Sequence, residues 1–397
     1  MYPLRKAAWQ LVTRGAAALA VAGTVLLAGC HNFFICQKAS CPSSGTGGGG
    51  STTGDYVYVS NASAGTTYIS GYDIGKGSLT AISGSPFPLN FIPVAMNVSP
   101  NDGFLYIASQ ANASNPGIYV YAIGSTGALS IQNSGSVDVS GAISSMDISS
   151  DGGYLFTINT LGTLLTEYQI NSTTGLLGQV GSFQLPGTLC VAGGTPISQT
   201  CTVKASPGGA YVVVALGTAG FAVFPYTSAS GISSASFTLV SPPSSTTGDY
   251  SLALDDHNYA YVASTSALTS YSITSSGITQ ESSQTYSSTT TVPRSVVLSS
   301  NQDYVYTANE GTGNISGYGI NGSGALTQIS GSPFTGPTNV SAIGVDKSGS
   351  YMVAAGYNGN SGVQLFTIGS TGSLTLVTSA GTGTSTTTNP TILALTH

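Results

Sequence analysis

Charged side chains are scarce in this 397-residue chain. Asp, Glu, Lys and Arg together make up 6% of its residues, against about 25% in ordinary soluble domains. The 8 Lys and Arg residues give no clustered basic surface. Because binding to nucleic-acid phosphates needs such clusters, we expect no nucleic-acid partner. The hydrophobic fraction of 41% excludes a disordered chain, which would combine low hydrophobicity with high net charge.

Small residues and residues that favour β-strands are abundant instead of charged ones. The chain contains 53 Gly and 22 Tyr, and Ser and Thr are plentiful throughout. Tyr, Thr and Val favour β-strands, whereas Gly, Asn and Ser favour turns. The composition therefore predicts an all-β fold.

The N-terminus has the pattern of an export signal. A basic start and an apolar run end in Leu-Ala-Gly-Cys at Cys30, which resembles the lipobox of bacterial lipoproteins. We predict a signal peptide over residues 1–29, lipidation at Cys30 and a flexible tether over residues 30–54. The alternative is an ordinary signal peptide, or a short membrane anchor, with a chance Cys. The lipid-anchored form would reach the membrane through its acyl chains and reside in the cell envelope, in the periplasm or at the cell surface.

Four cysteines remain after Cys30. Cys36 and Cys41 lie in the tether, and Cys190 and Cys201 bound an insertion in the main body. Each pair would close a short loop, and an even number of cysteines in an exported protein indicates disulfides. A metal site is the alternative. Because no His accompanies Cys190 and Cys201 and their spacing is unlike that of a zinc site, we expect no metal.

An internal repeat runs from Asp55 to the C-terminus. Its core is an alternating strand of the type Tyr-x-Tyr-Val-x-Asn. We call the first residue of each copy the anchor residue: Tyr56, Phe104, Tyr154, Tyr211, Tyr259, Tyr304 and Tyr351. The spacings of 48, 50, 57, 48, 45 and 47 residues give seven copies.

Each repeat predicts four strands. An apolar strand and a turn precede the anchor strand, and a third strand, a second turn and a fourth strand such as LTAISGSPF (residues 79–87) follow it. Four alternating strands in a period of this length are typical of a propeller blade. The sequence therefore predicts one seven-bladed β-propeller over residues 55–397, made of four-stranded antiparallel blades.

The two ends of the repeat region predict how the ring closes. The first repeat begins directly at its anchor strand, and residues 390–397 supply one strand too many. We expect this C-terminal strand to pair beside Tyr56–Asn61 and to complete the first blade. Such closure removes sheet edges that would otherwise template aggregation.

The Tyr-Val-Tyr-Val-x-Asn strands, the Ser-Pro-x-Asp-Gly-like turns and the Gly-Ala-Leu turns resemble those of the seven-bladed propeller lactonase family. That family includes bacterial 6-phosphogluconolactonases and fungal muconate-lactonizing enzymes, and it is related to YVTN-repeat surface proteins. The resemblance covers about residues 55–397. Because the repeated motifs are structural, it implies the fold more directly than an activity.

The resemblance also implies an active face at the starts of the innermost strands. There the family has Gly-Pro-Arg-His in one blade and an Asn-Glu pair after the next strand. The sixth repeat reads Val-Pro-Arg-Ser at residues 292–295 and ends its anchor strand with Asn309-Glu310. Arg294 and Glu310 are therefore the catalytic candidates, and Ser295 stands where a His is common. An Arg would stabilise an oxyanion, and a carboxylate would orient water or act as a base.

Two further features of the family are incomplete here. Its other blades bring a His and an Asp-Leu-Gly segment to the channel, whereas residues 201–217 keep only the Leu-Gly. Alignment on the anchor residues predicts the innermost-strand starts as Val94, Ser144, Cys201, Asp249, Arg294, Ser341 and Thr391. Asp249 and Ser295 are accordingly candidates for substrate binding. Alternatively, Arg294, Glu310 and Asp249 form an ion-pair cluster that holds blades five and six in register.

Other polar residues have simpler interpretations. His257 lies in the turn before an anchor strand, where polar residues are expected. Several acidic residues recur at or near the same turn and are interpreted as turn formers: Asp102, Asp147, Asp151, Asp303 and Asp346.

Two functions from different classes follow from the sequence. One is a lactonase-like hydrolase that acts on a small lactone, with Arg294 and Glu310 at the channel mouth. The other is a non-enzymatic surface scaffold that binds a protein, a glycan or a cell-wall partner. Export argues against a phosphorylated cytosolic substrate, and the absent His argues against standard family chemistry. We expect no cofactor and a monomer in either case.

Overall fold

The computed structural model describes residues 54–397 apart from 64–65, 76, 111–116, 133–136, 138–140, 187–200, 243–247, 289–291, 358–361 and 382–391. Within these ranges the chain forms β-strands and no helix, so no helical segment there has the length and hydropathy to span a membrane. The predicted signal peptide, the tether as far as residue 53 and four cysteines lie outside the described residues: Cys30, Cys36, Cys41 and Cys190.

The strands form seven antiparallel sheets, one for each predicted blade. Blade 1 contains β1 (Tyr56–Ser63), β2 (Thr66–Asp73), β3 (Thr80–Ala81) and β4 (Phe87–Leu89). Blade 2 contains β5 (Pro93–Val98), β6 (Phe104–Ser109), β7 (Ile118–Ile123) and β8 (Leu129–Ile131). Blade 3 contains β9 (Ile143–Ile148), β10 (Tyr154–Asn159), β11 (Leu164–Ile170) and β12 (Leu177–Gln184).

The remaining blades repeat this order. Blade 4 contains β13 (Val203–Ala205), β14 (Tyr211–Ala215), β15 (Phe221–Thr227), β16 (Gly231–Ile232) and β17 (Thr238–Val240). Blade 5 contains β18 (Asp249–Leu254), β19 (Tyr259–Ser264), β20 (Ala267–Thr274) and β21 (Gly277–Thr285). Blade 6 contains β22 (Pro293–Leu298), β23 (Tyr304–Asn309), β24 (Asn314–Ile320), β25 (Leu326–Gln328) and β26 (Phe334–Thr335). Blade 7 contains β27 (Val340–Val345), β28 (Tyr351–Gly356), β29 (Val363–Ile368) and β30 (Leu374–Ala380), and β31 (Leu393–Leu395) returns to blade 1.

The predicted anchor strands are confirmed as the second strand of every blade. A polar side chain in the preceding turn accepts a hydrogen bond from the anchor residue's N–H, at 2.7 to 3.0 Å. The acceptors in blades 2 to 7 are Ser99, Ser149, Ser206, Asp255, Ser299 and Asp346. The polar turn residues therefore fix where each anchor strand begins.

The second aromatic residue of the Tyr-x-Tyr motif joins neighbouring blades. In three blades its hydroxyl is buried and donates to a glycine carbonyl of the next blade. The pairs are Tyr58 with Gly127 at 2.8 Å, Tyr106 with Gly175 at 2.9 Å and Tyr306 with Gly372 at 2.8 Å. These glycines have φ between +70° and +78°, and a Cβ on each would approach the preceding blade's anchor ring to 3.0 Å or less. Only Gly tolerates both the positive φ and the close approach of the anchor ring.

The ring closes through the C-terminal strand, as predicted. Strand β31 pairs antiparallel with β1, and Leu395, Ala394 and Leu393 face Val57, Tyr58 and Val59. Thr396 Oγ1 accepts from the Tyr56 N–H at 2.8 Å and thus replaces the turn acceptor of the other blades. The innermost strands, which are β31, β5, β9, β13, β18, β22 and β27, contact one another in this order and return to β31. They enclose the central channel of the propeller.

The prediction of one continuous fourth strand is wrong for blades 1, 4 and 6. In blades 1 and 6 the Ile-Ser-Gly-Ser-Pro-Phe segment interrupts it. In blade 1, Ser85 Oγ accepts the Gly71 N–H at 3.0 Å, a donor that a continuous outer strand would have paired with a backbone carbonyl. Blade 6 repeats this arrangement with Ser332 and Gly317 at 2.9 Å. The outer strand is therefore split into β3 and β4 in blade 1 and into β25 and β26 in blade 6.

Candidate functional site

The innermost strands all begin at one end of the ring, which we call the mouth. Five of them carry a β-bulge there, with one residue left between two paired residues. The bulged residues are Val94, Ser144, Tyr250, Arg294 and Ser341. A bulge re-aims the side chain that it carries and is frequent next to functional sites.

The predicted alignment of Asp249 with Arg294 is wrong by one residue. Asp249 pairs with Ser264 and therefore corresponds to Pro293, which pairs with Asn309. The turn between β18 and β19 is one residue shorter than that between β22 and β23, so counting back from the anchor residue overshoots in blade 5. Asp249 begins β18 at the mouth, but Tyr250 takes the bulge position.

The catalytic candidates Arg294 and Glu310 are in direct contact. Arg294 Nε donates to Glu310 Oε2, and their side chains are only 8% and 10% exposed. The backbone fixes both positions, because Arg294 is the bulge of β22 and the Glu310 N–H donates to the carbonyl of Val292 at 3.1 Å. The predicted pairing of these two residues at the mouth is thus present.

A third residue, Tyr357 of blade 7, completes the cluster. Its hydroxyl donates to Glu310 Oε1, so both carboxylate oxygens are engaged. The Tyr357 N–H donates to Thr338 O at 3.1 Å, and Asn339 Nδ2 donates to Tyr357 O at 3.3 Å. Burial raises the pKa of the Tyr357 phenol, and the hydrogen bond and negative charge of Glu310 raise it further. Tyr357 therefore stays protonated and remains a donor.

Sequence reasoning missed Tyr357, although the repeat contains the signal. Tyr357 follows its anchor Tyr351 by the same six positions that separate Glu310 from Tyr304. The two residues therefore occupy the same position in adjacent blades. Comparing the positions after the anchor strands, as well as the starts of the innermost strands, would have found it.

Ser295 connects blades 6 and 7 through the backbone. Its hydroxyl lies 3.5 Å from Ile343 O and 3.4 Å from Ile343 N. Two similar bonds join other innermost strands, from Ser144 Oγ to Cys201 O and from Thr202 Oγ1 to Tyr250 O, both at 2.9 Å. The ring of innermost strands is therefore cross-linked by hydroxyl groups near the mouth.

A second polar cluster lies farther along the channel. Asp147 accepts from Lys204 Nζ at 3.1 Å and from Asn97 Nδ2 at 3.2 Å, which links three successive innermost strands. The interpretation of Asp147 as a turn former is wrong, because it lies within β9 opposite Phe156. His257 does occupy the predicted turn, at the end of blade 5 opposite the mouth, where it pairs with Asp256 at 2.7 Å.

The backbone beside Arg294 is strained. Val292 has φ of +44° and is 37% exposed. Such a conformation is an outlier for a β-branched residue, and strained residues of this kind cluster at active sites. The corresponding residue of blade 7 is Asn339, with φ of +48°, and Asn tolerates this region far better than Val does.

Fold and site together define a seven-bladed β-propeller with a carboxylate, a guanidinium and a phenol joined at its mouth. The sequence model of the family "Lactonase, 7-bladed beta-propeller" matches residues 52–193, 208–341 and 259–391. The chain therefore belongs to this lactonase propeller family. No curated protein sequence matches the chain.

Solved structures share the fold at low sequence identity. A candidate 6-phosphogluconolactonase from Bacteroides fragilis superposes with a TM-score of 0.68 at 15% identity, over 88% of this chain and 100% of its own. The periplasmic gluconolactonase PpgL of Pseudomonas aeruginosa gives 0.64 at 14% identity, over 86% and 99%. A Lactobacillus plantarum protein gives 0.65 at 15% identity, over 87% and 99%. At these identities the likeness establishes the architecture.

Proposed function

We propose that this protein hydrolyses a small lactone at the mouth of the propeller. The observation that supports the proposal is the contact of Arg294 and Tyr357 with the two oxygens of Glu310. Acyl transfer to water uses a base to deprotonate the water and a positive or hydrogen-bonding group to stabilise the oxyanion, and the Tyr357 phenol holds the base in place. Membership in the lactonase family favours the same chemistry.

The chemistry assigns one role to each residue. Glu310 takes a proton from a water molecule as the water oxygen bonds to the lactone carbonyl carbon. Arg294 stabilises the negative charge that develops on the carbonyl oxygen. The ring C–O bond then breaks, and the leaving alkoxide takes the proton back from Glu310 to give the open hydroxy acid. Tyr357 positions Glu310 throughout.

The strained backbone supports a functional role for this site. Holding Val292 in its conformation costs on the order of 1–3 kcal/mol. The strain is consistent with a loop shaped to place Arg294.

Location and anchoring belong to the same proposal. Lipidation at Cys30 would tether the propeller to a membrane of the cell envelope, and residues 30–54 would act as a flexible spacer. A disulfide between Cys190 and Cys201 would close the insertion before β13, and one between Cys36 and Cys41 would lie in the tether. Reduced and non-reduced mass spectra of the protein isolated from its membrane test the acyl chains and both disulfides together.

The activity test compares two cations of the innermost strands. The full-length chain, purified in detergent, is assayed on a lactone panel in a pH-stat, with spontaneous hydrolysis subtracted. Arg294→Ala should abolish turnover, whereas Lys204→Ala, which breaks the other innermost-strand ion pair, should retain it. Removing Arg294 leaves Glu310 buried without its cation, at a cost of about 3–5 kcal/mol. Thermal unfolding is therefore recorded on the same samples, and Arg294→Lys, which keeps the charge, serves as a second variant.

The alternative is a non-enzymatic scaffold that binds a surface partner. One observation favours it: the Arg294 and Glu310 side chains are only 8% and 10% exposed and satisfy each other, as a structural ion pair within blade 6 would. This alternative predicts that the folded wild-type chain hydrolyses no lactone of the panel. It also predicts that Arg294→Ala lowers stability and changes no activity.

A further inference from the structure

The distribution of positive charge along the propeller is unusual. From residue 55 onward the sequence contains four cations, which are Lys76, Lys204, Arg294 and Lys347. Lys76 falls between β2 and β3 and is the only one outside the described residues. The other segments that the structure leaves undescribed after residue 55 contain neither Lys nor Arg.

Each described cation has a partner, and only one lies at the mouth. Lys347 lies in the turn between β27 and β28, at the opposite end, and bonds Gly54 O at 3.0 Å. Lys204 lies within β13 and pairs with Asp147 at 3.1 Å. Arg294 alone is at the mouth, where the charge of Glu310 balances it. From residue 55 onward the sequence has 14 Asp and Glu residues against these four cations, so the propeller carries a net negative charge.

A phosphate group would find few favourable partners there. It carries a charge of about −1.5 to −2 near pH 7. Proteins bind it with clustered Arg or Lys residues or with helix N-termini, and the described residues include one Arg and no helix. The mouth instead exposes apolar side chains, with Val292 37% and Leu161 49% exposed.

We propose that the mouth selects uncharged lactones and discriminates against the same lactones carrying a phosphate ester. This proposal rests on the hydrolase function proposed above and adds its substrate class. The discrimination is electrostatic, because the charge of Arg294 is compensated by Glu310 before any ligand binds and the net negative charge of the propeller opposes an anion.

The test compares kcat/KM for an unphosphorylated aldonolactone and for its phosphate ester, using the full-length chain at low salt. The uncharged lactone should be preferred by at least about tenfold. Added salt should raise kcat/KM for the phosphorylated lactone and leave the other value unchanged, because salt screens repulsion between charges. Equal values, or a preference for the phosphorylated lactone, would overturn the proposal while leaving the hydrolase function intact.

Two matched variants in blade 3 locate the effect. Thr160 follows β10 at the mouth and is the counterpart of Glu310, whereas Ser172 is exposed in the turn between β11 and β12 at the opposite end. Thr160→Lys should raise relative activity on the phosphorylated lactone roughly fivefold, the effect of one added charge at about 8 Å in a partly aqueous site. Ser172→Lys adds the same charge and should shift the ratio less than about twofold.

Equal shifts in both variants would contradict selection at the mouth. Turnover of neither lactone by the folded wild type would instead reject the hydrolase function.

Discussion

Glu310 is held from two neighbouring blades. Arg294 of blade 6 contacts one of its carboxylate oxygens, and Tyr357 of blade 7 contacts the other. A carboxylate fixed at both oxygens has little freedom to rotate. Such positioning increases the catalytic rate, because small errors in the placement of a base reduce that rate strongly.

Tyr357→Phe tests this positioning role. We expect kcat/KM for lactone hydrolysis to fall by roughly tenfold or more, whereas the free energy of unfolding should fall by about 1 kcal/mol for the lost hydrogen bond. Tyr306→Phe is the matched control, because it removes another tyrosine hydrogen bond between blades 6 and 7, to Gly372 O. Equal kinetic effects in the two variants would show that Tyr357 acts only through blade packing.

A carboxyl pair at the ring closure predicts a pH-dependent stability. Burial, together with the negative charge and a hydrogen bond of Asp346, raises the pKa of Asp55 from 3.8 to about 7, against a lowering by the charge of Lys347. At a pH between the unfolded-state pKa of 3.8 and the folded-state pKa of about 7, the folded chain keeps a proton on Asp55 that the unfolded chain releases. The free energy of unfolding should therefore decrease as the pH rises from about 4 to 7.

The Asp55→Asn variant checks this assignment. Its melting temperature should depend less on pH between 4 and 7 than that of the wild type, because the variant has no proton to lose at this position. Glu281→Gln, at an exposed carboxylate on β21 that accepts from Ser272 Oγ, should keep the wild-type pH dependence. Identical slopes for wild type and Asp55→Asn would exclude Asp55 as the source.

At the scale of strands, the C-terminal segment determines whether the ring closes. Removing residues 390–397 takes away β31, its pairing with β1 and the Thr396 acceptor for the Tyr56 N–H. We expect calorimetry of the truncated chain to show no single cooperative transition, because blade 1 would expose an unpaired edge to the channel. Thr396→Val keeps the strand and should cost about 1 kcal/mol with cooperativity intact. An unchanged melt after truncation would contradict closure by this strand.

Elements that repeat were predictable from the sequence, and local departures from the repeat were not. The anchor strands and the closing strand follow from alternation and from counting strands at both ends. The split outer strands of blades 1 and 6 depend on a serine hydroxyl that replaces a backbone partner, as Ser85 does for Gly71, and alternation does not reveal such a bond. The displacement of Asp249 arises from a turn shortened by one residue, which an alignment on anchor residues cannot detect.

The site was predictable only where one repeat differed chemically from the others. Arg294 and Glu310 stand out because charge is rare in this chain. Tyr357 does not, since 22 tyrosines are present and most of those in repeats are structural. Asp147 and Lys204 are brought together by the contact of β9 with β13, which depends on the curvature of the ring rather than on any motif.

For the molecule as a whole, the fold is shared widely and leaves the activity to a few side chains. The most direct test of the proposed site is the rate of hydrolysis of an uncharged lactone by Glu310→Gln relative to wild type. Gln keeps the shape of the side chain but cannot accept the proton of water. We predict a loss of kcat/KM of about 10²- to 10⁴-fold in a variant that still unfolds cooperatively. A Glu310→Gln protein as active as the wild type would contradict hydrolysis at this site.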